Sequence, residues 1–240
     1  MIEIRHNNRP GYDWVQTAYE AFDYGLVEQL DSLYYWIFRL LKIERGRRLI
    51  DVACGRSQLV RLATEQGLQA VGVDFAHAPL RSLHQSGGGD YVTANGQALP
   101  FGDRQFDYVT SIGSLEHYEN MNRGLQEMAR LIKPGGKIII LVPNTFSILH
   151  NVYLAFKTGL PLDDGQPLQR IGSHLQWKQM IANHLEIQDT FKYEREWPAV
   201  WKDVIWYLRH PKKLVYLLLT PFIPTNLALC FVFLCIRKAE

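Results

Sequence analysis

The stretch that most constrains this chain is Leu49-Ile50-Asp51-Val52-Ala53-Cys54-Gly55-Arg56-Ser57, an aliphatic run that ends in a carboxylate and turns through small residues. It passes directly into Gln58-Leu59-Val60-Arg61-Leu62-Ala63, where apolar positions recur with helical spacing. Strand, tight turn and helix in that order let a backbone approach a nucleotide-like ligand at the carboxyl edge of a parallel sheet. Any α/β protein can hold a buried strand that ends in a glycine turn. The rest of the chain therefore decides what this turn is for.

A second short strand, Gln69 to Asp74, also ends in a carboxylate, 19 residues beyond Gly55. That is the separation at which an acid reaches the ribose hydroxyls of a nucleotide bound at the first turn. A carboxylate suits a vicinal diol because it accepts two hydrogen bonds, and Phe75-Ala76 offers an adenine a flat apolar surface. A solvated turn is the plainer reading of Asp74. Tyr91 to Ala94 reads as a third strand, with the Asn95 amide and Gly96 at its end, within reach of an adenine edge. Phe106 to Ser111 reads as a fourth. It leads through Ile112-Gly113-Ser114-Leu115-Glu116-His117-Tyr118 into a helix over roughly 121–132, stopped by Lys133-Pro134-Gly135-Gly136. Lys137 to Val142 is nearly all apolar, as in a strand covered on both faces. Strand and helix alternate throughout, which predicts a parallel sheet with helices on both sides.

Composition excludes several functions. A net charge of +2 gives no single-sign field for nucleic acid. Cys54, Cys230 and Cys235 form neither a disulfide framework nor a C-x-x-C pair, which predicts reduced thiols in a cytoplasmic protein. The polar start (Glu3, Arg5, His6) does not read as a signal peptide. No metal constellation is expected, since the histidines are dispersed with no H-x-x-x-H pair. Gly87-Gly88-Gly89 lacks the Lys-Ser/Thr of a phosphate loop, and after Gly55 the chain lacks the later glycines that a dinucleotide pyrophosphate requires.

Residues 12–42 have the spacing of one or two amphipathic helices packed on the sheet, with Tyr12, Trp14 or Tyr19 as a candidate lid. Residues 144–175 read as a long, Gly/Pro-punctuated loop over the site. A helix over 175–185, a sixth strand over Glu186–Tyr193 and a seventh over Ala228–Arg237 follow. Between the last two lies an aromatic insertion, 197–227, with a basic group at Arg209, His210, Lys212 and Lys213. No charge occurs from 214 to 234, but Pro221 and Pro224 break the run and its second half is needed as a strand, so a membrane span is not expected. Two readings remain for the insertion. It lies on a membrane surface, or it packs on the protein or a second subunit.

With these stretches in place, residues 46–142 resemble the core of a class I S-adenosylmethionine-dependent methyltransferase, of the group that includes the ubiquinone and menaquinone biosynthesis enzymes. The resemblance rests on Asp51-Val52-Ala53-Cys54-Gly55, Val71-Gly72-Val73-Asp74, Asn95 to Phe101 with Phe106-Asp107-Tyr108-Val109, Leu115-Glu116-His117 and Lys133-Pro134-Gly135-Gly136 in that order. It implies a Rossmann-like, doubly wound seven-stranded sheet with the last strand antiparallel and helices on both faces, plus the helical insertion before that strand. One methyltransferase domain over 1–240 is expected, with 1–45 as a helical cap, 46–142 as the cofactor core and 143–196 on the substrate side. S-adenosylmethionine is the implied cofactor. Asp51 with the 53–55 backbone (Ala53, Cys54, Gly55) would hold its methionine end, and Asp74 its ribose. Phe75, Asn95 and Gly96 would border the adenine, and Ser111 and Ile112 would line the methionine pocket. Two positions depart from the family pattern. Ser57 stands for a glycine, and Asn95 stands for an aspartate, its oxygen still able to accept from the adenine amino group.

The implied activity is methyl transfer to a small-molecule or lipid-linked acceptor, which needs alignment, exclusion of water and a base where a hydroxyl must lose its proton. His117, His150 and His174 are the candidate bases, each of which could equally be a surface or capping histidine. A fold that binds cofactor without turnover is the alternative.

Overall fold

A computed structural model describes residues 1–6, 30–77, 80, 81, 83, 89–160, 163 and 165–239. Its main sheet contains β2 (Arg48–Val52), β3 (Gln69–Asp74), β4 (Asp90–Thr93), β5 (Phe106–Ile112), β6 (Ile132–Pro143), β8 (Leu185–Tyr193) and β9 (Cys230–Arg237). These lie in the order β4-β3-β2-β5-β6-β9-β8. β9 is antiparallel to both of its neighbours and the other pairings are parallel, as the resemblance implied. The order reverses between β2 and β5, so the crevice at their carboxyl ends is where a doubly wound sheet receives its ligand.

The central strands are apolar on both sides because both faces are covered. Ile138, Ile140 and Val142 join one core with Trp177 and Ile181, while Ile139 and Leu141 join the other with Leu33, Ile37 and Leu59. Successive side chains on a strand point to opposite faces, which is why adjacent residues divide between two cores. Helices α1 (Asp31–Leu41) and α2 (Gln58–Glu65) cover one face; α3 (Met121–Leu131) and α5 (His174–Ala182) cover the other. Lys133-Pro134-Gly135-Gly136 ends α3 as expected, yet lies within β6 as an irregularity, where the register against β5 shifts and Gly135 takes φ 74°.

The expectation for 144–175 changes in detail, and the insertion is helical as expected. Residues 144–175 are more than a loop: they hold a π-helical turn (Ile148–Val152), α4 (Tyr153–Thr158) and β7 (Leu168–Ile171). β7 pairs antiparallel with β1 (Ile2–Arg5) in a separate two-stranded sheet. The insertion forms α6 (Trp201–Arg209) and α7 (Pro211–Leu219), followed by two short 3-10 turns. No helix among the described residues is long and apolar enough to cross a membrane. Tyr12, Trp14 and Tyr19, the lid candidates, lie outside the described residues.

The insertion is tied to the core by a buried carboxylate. The α1 N-cap, Leu30, has no side chain able to accept, and Asp203 of α6 takes that role from a distance. It accepts from the Ser32 backbone N–H at 2.7 Å and from the Ser32 hydroxyl at 2.5 Å. An acid at a helix N-terminus satisfies an otherwise orphaned donor and complements the helix dipole.

Candidate functional site

The first turn holds three left-handed residues in five. Ala53 has φ 61°, Gly55 φ 49° and Ser57 φ 57°. For Ala53 and Ser57 this conformation costs about 1–2 kcal/mol each, because Cβ crowds the following carbonyl. The strain is held by neighbours. The Cys54 N–H donates to Val73 O at 2.9 Å, the Ser57 N–H to Cys54 O at 2.7 Å, and the Gly55 N–H to Asp74 Oδ2 at 2.8 Å. Gly72 sits behind the turn, where a Cβ would stand 2.8 Å from the Cys54 sulfur.

Beside this turn opens a cleft of about 720 Å³, its mouth included. Ala53, Asp74, Phe75, Asn95 and Gly96 line it, as the sequence reading placed them together. Gly113, Ser114, His117, Tyr118, Glu119 and Gln166 line it as well. Asp74 is the anchor of the first group. Oδ2 accepts from Gly55 and Oδ1 accepts from the Ala76 N–H at 2.9 Å, so one buried carboxylate fixes two turns at adjacent strand ends.

The structure turns Asn95 differently from the expectation. Its Oδ1 accepts from the Gln97 N–H at 2.9 Å and from Gln97 Nε2 at 3.1 Å. Because a backbone N–H can only donate, the oxygen faces inward and the amide nitrogen is the atom left to meet a ligand. Gln97 Oε1 in turn accepts from the Asn120 N–H at 2.8 Å, joining this edge to the start of α3. Gly96 is required by close approach, since a Cβ there would lie 2.2 Å from the Tyr118 hydroxyl.

The remaining predicted residues lie beneath the cleft. Asp51 is buried and accepts from the Thr110 hydroxyl at 2.6 Å. Burial pushes its carboxyl up to about 7; the Thr110 bond opposes this and the Asp74 charge adds to it. Ser111 is fully buried, its hydroxyl 2.7 Å from that of the cleft-lining Ser114, while Cys54 and Ile112 pack into the core on the α1 side. Asp51→Asn keeps an oxygen for Thr110 and removes the buried charge. The folded-state pKa is raised, so the native ionised form carries a penalty that grows above about pH 4 and is complete above about 7. The variant is therefore expected to gain about 1–3 kcal/mol in apo stability at pH 8 and nothing below pH 4, read by thermal melts at the two pH values.

Of the three candidate bases, only His117 lines the cleft. Its Nδ1 lies 2.6 Å from Leu168 O and its Nε2 lies 3.9 Å from Glu116 Oε1. His150 sits against the Tyr216 ring at 5.7 Å; burial, then the charges of Lys213 and Arg195, lower its pKa. His174 stacks on Phe231 at 5.0 Å and its Nδ1 lies 3.2 Å from Asn226 Oδ1. Gln97, Ser114, Tyr118, Glu119 and Gln166 are cleft residues that the sequence reading did not assign to the site. The first four lie in or beside stretches it did identify, whereas Gln166 gives no local signal.

The cleft is lined by an acid, an amide and the Phe75 ring, groups able to meet a diol, a heterocycle edge and a ring face, and Gly113 brings no Cβ into the opening. Residues 50–140 match the methyltransferase domain family. The chain is 29% identical to the demethylmenaquinone methyltransferase of Geobacillus kaustophilus over 165 residues, 64% of this chain and 70% of that protein. It is 28% identical to the ubiquinone/menaquinone biosynthesis C-methyltransferase UbiE of Cronobacter sakazakii, over 68% of this chain and 72% of the relative. Geranyl diphosphate C-methyltransferase from Streptomyces coelicolor, solved with S-adenosyl-L-homocysteine, superposes with a TM-score of 0.60 at 14% identity, over 86% of this chain and 76% of that one. The fold, cleft and family match define a class I S-adenosylmethionine-dependent methyltransferase. Within that class the chain is similar to the UbiE-like group.

Proposed function

We propose that this methyltransferase acts on a small acceptor carried on a lipid or prenyl tail, with His117 as the base that prepares the acceptor. The observation that carries the reading is that the cleft brings Asp74, Asn95 and His117 to one opening at the carboxyl edge of the sheet. S-adenosylmethionine supplies a methyl group already activated on a sulfonium. Asp74 accepts from the ribose diol, and Asn95 donates its amide N–H to the adenine edge. Phe75 and Gly96 border the ring. Asp51, with Ala53, Cys54 and Gly55, shapes the methionine end, and Ser111 and Ile112 back it. A carbonyl oxygen cannot donate, so His117 Nδ1 carries the proton to Leu168 O and Nε2 is the nitrogen that can take one from the acceptor. Glu116, 3.9 Å from Nε2, then faces the imidazolium that forms.

A peripheral membrane contact through 197–227 supports a lipid-linked acceptor. α7 buries only Leu217 among its nine residues, and Trp201, Leu208, Val215, Leu218 and Phe222 are exposed. No acidic residue occurs from 204 to 239, while Arg209, Lys212 and Lys213 supply a basic rim. An amphipathic helix of this kind settles at an anionic interface by apolar burial plus charge attraction. The π-helical turn beside it, touching α7 through His150 and Tyr216, exposes Leu149 and Val152, with Phe156 just beyond.

Two measurements test the proposal. Tritiated-methyl transfer from S-adenosylmethionine to demethylmenaquinone, the kind of acceptor named for the Geobacillus relative, should be detectable in anionic vesicles. Leu218→Glu with Phe222→Glu should abolish co-sedimentation with phosphatidylglycerol vesicles while homocysteine-cofactor binding stays unchanged. Unaltered sedimentation would place the membrane contact elsewhere. Self-association lost in the double variant, without vesicle binding by either protein, would favour a subunit interface instead.

A further inference from the structure

Three consecutive residues of the cleft wall are each held by the small β1–β7 sheet. His117 donates from Nδ1 to the Leu168 carbonyl at 2.6 Å. The Tyr118 carbonyl accepts from the Arg170 guanidinium at 2.5 Å. Glu119 accepts two bonds from Arg5, at 2.9 and 3.1 Å. The sheet is itself cross-linked in register: Glu3 stands opposite Arg170 and takes a bond from its Nε at 2.7 Å, while Arg5 stands opposite Leu168. Arg170 is buried, so its charge-assisted bond to the Tyr118 carbonyl is shielded from solvent, while its other partner, Glu3, is exposed. The pairing joins residues more than 160 positions apart.

From this we infer that the β1–β7 sheet is the positioning element of the transfer site, with Arg170 and Arg5 as positioning residues that hold 117–119 in place and set His117 as its Nδ1–H tautomer. The inference rests on the reading of His117 as the base and explains why that base is poised. In a neutral imidazole one nitrogen donates and the other accepts, and the partner of one fixes the role of the other. Leu168 lies in β7 with its backbone paired to Arg5, so the carbonyl that selects the tautomer is only as well placed as this strand pair. Arg170 then ties the same strand to the residue immediately after His117. A base held through a single rotatable side chain loses rate steeply with small displacements.

The first readout is the tautomer itself, which needs no acceptor; the second is kcat with demethylmenaquinone in anionic vesicles. Long-range proton–nitrogen correlation spectra of the nitrogen-15-labelled full chain, recorded at pH 8.5, should show His117 with a protonated Nδ1 and an unprotonated Nε2. Arg170→Met should convert this signature to an exchange average of both tautomers and lower kcat at least tenfold. S-adenosylhomocysteine affinity should stay within threefold, and Arg170→Lys should recover part of both losses. If Arg170→Met does not fold, Arg5→Gln cuts the Glu119 pair and the longer contacts to Glu3, leaves Arg170 in place, and should move the same readouts in the same direction by a smaller amount. A protonated Nε2 in the wild-type chain would overturn the inference. So would a folded Arg170→Met whose His117 spectrum and kcat match wild type. Failure of the wild-type chain to bind S-adenosylhomocysteine would instead overturn the reading on which the inference rests, and the two failures are distinct.

Discussion

Asp74→Ala is expected to weaken binding of S-adenosylmethionine and S-adenosylhomocysteine alike by about 100-fold, or ~2.7 kcal/mol. The loss has two parts. The ribose diol would no longer meet a carboxylate, and the Gly55 and Ala76 N–H groups would lose their acceptor. A buried donor left unmade costs about 1–3 kcal/mol, and here two such donors belong to the turns that shape the cleft. The apo protein should therefore also melt several degrees lower. Asp74→Asn should lie between, because one oxygen still accepts while the amide nitrogen now faces an N–H. Calorimetric titration of both variants checks the order. An Ala variant with wild-type affinity would remove Asp74 from the cofactor site.

His117→Asn is the sharper test of the chemistry. An asparagine amide can reach Leu168 O much as Nδ1 does, which keeps the wall in place, but it offers no group able to take a proton. Turnover should fall about 10²–10⁴-fold, the usual contribution of a positioned general base. Cofactor affinity should stay within about threefold of wild type. His150→Asn and His174→Asn should leave turnover near wild type, since those rings sit against Tyr216 and Phe231 and not in the cleft. Full turnover in His117→Asn would show that the acceptor needs no base from this residue.

The parts legible in the sequence were local ones. A strand that ends at Asp51 and turns through Gly55, and another that ends at Asp74, announce themselves within a few residues because alternation, turn chemistry and the terminal carboxylate are read along the chain. The strand over Lys137–Val142 was legible from its near-continuous apolar run as one covered on both faces, and the structure divides its alternate residues between two cores. What stayed hidden depends on distant partners. β1 and β7 are each four residues long and half polar, and only their pairing gives either of them a strand identity. The choice among His117, His150 and His174 required knowing which strand ends meet. The direction of the Asn95 amide depended on where Gln97 turned, and the left-handed Ala53 ran against the residue's own preference. Such local conflicts concentrate where a site imposes its geometry on the chain.

The central claim is that the cleft bordered by Asp74, Asn95 and His117 receives S-adenosylmethionine. Isothermal titration of the wild-type chain with S-adenosylmethionine, and separately with S-adenosylhomocysteine, tests it most directly. Saturable one-to-one binding of both at micromolar affinity, lost together in Asp74→Ala, is the result this structure predicts. Absence of binding by either ligand to the folded chain would contradict it, and would mean that the fold persists without its cofactor.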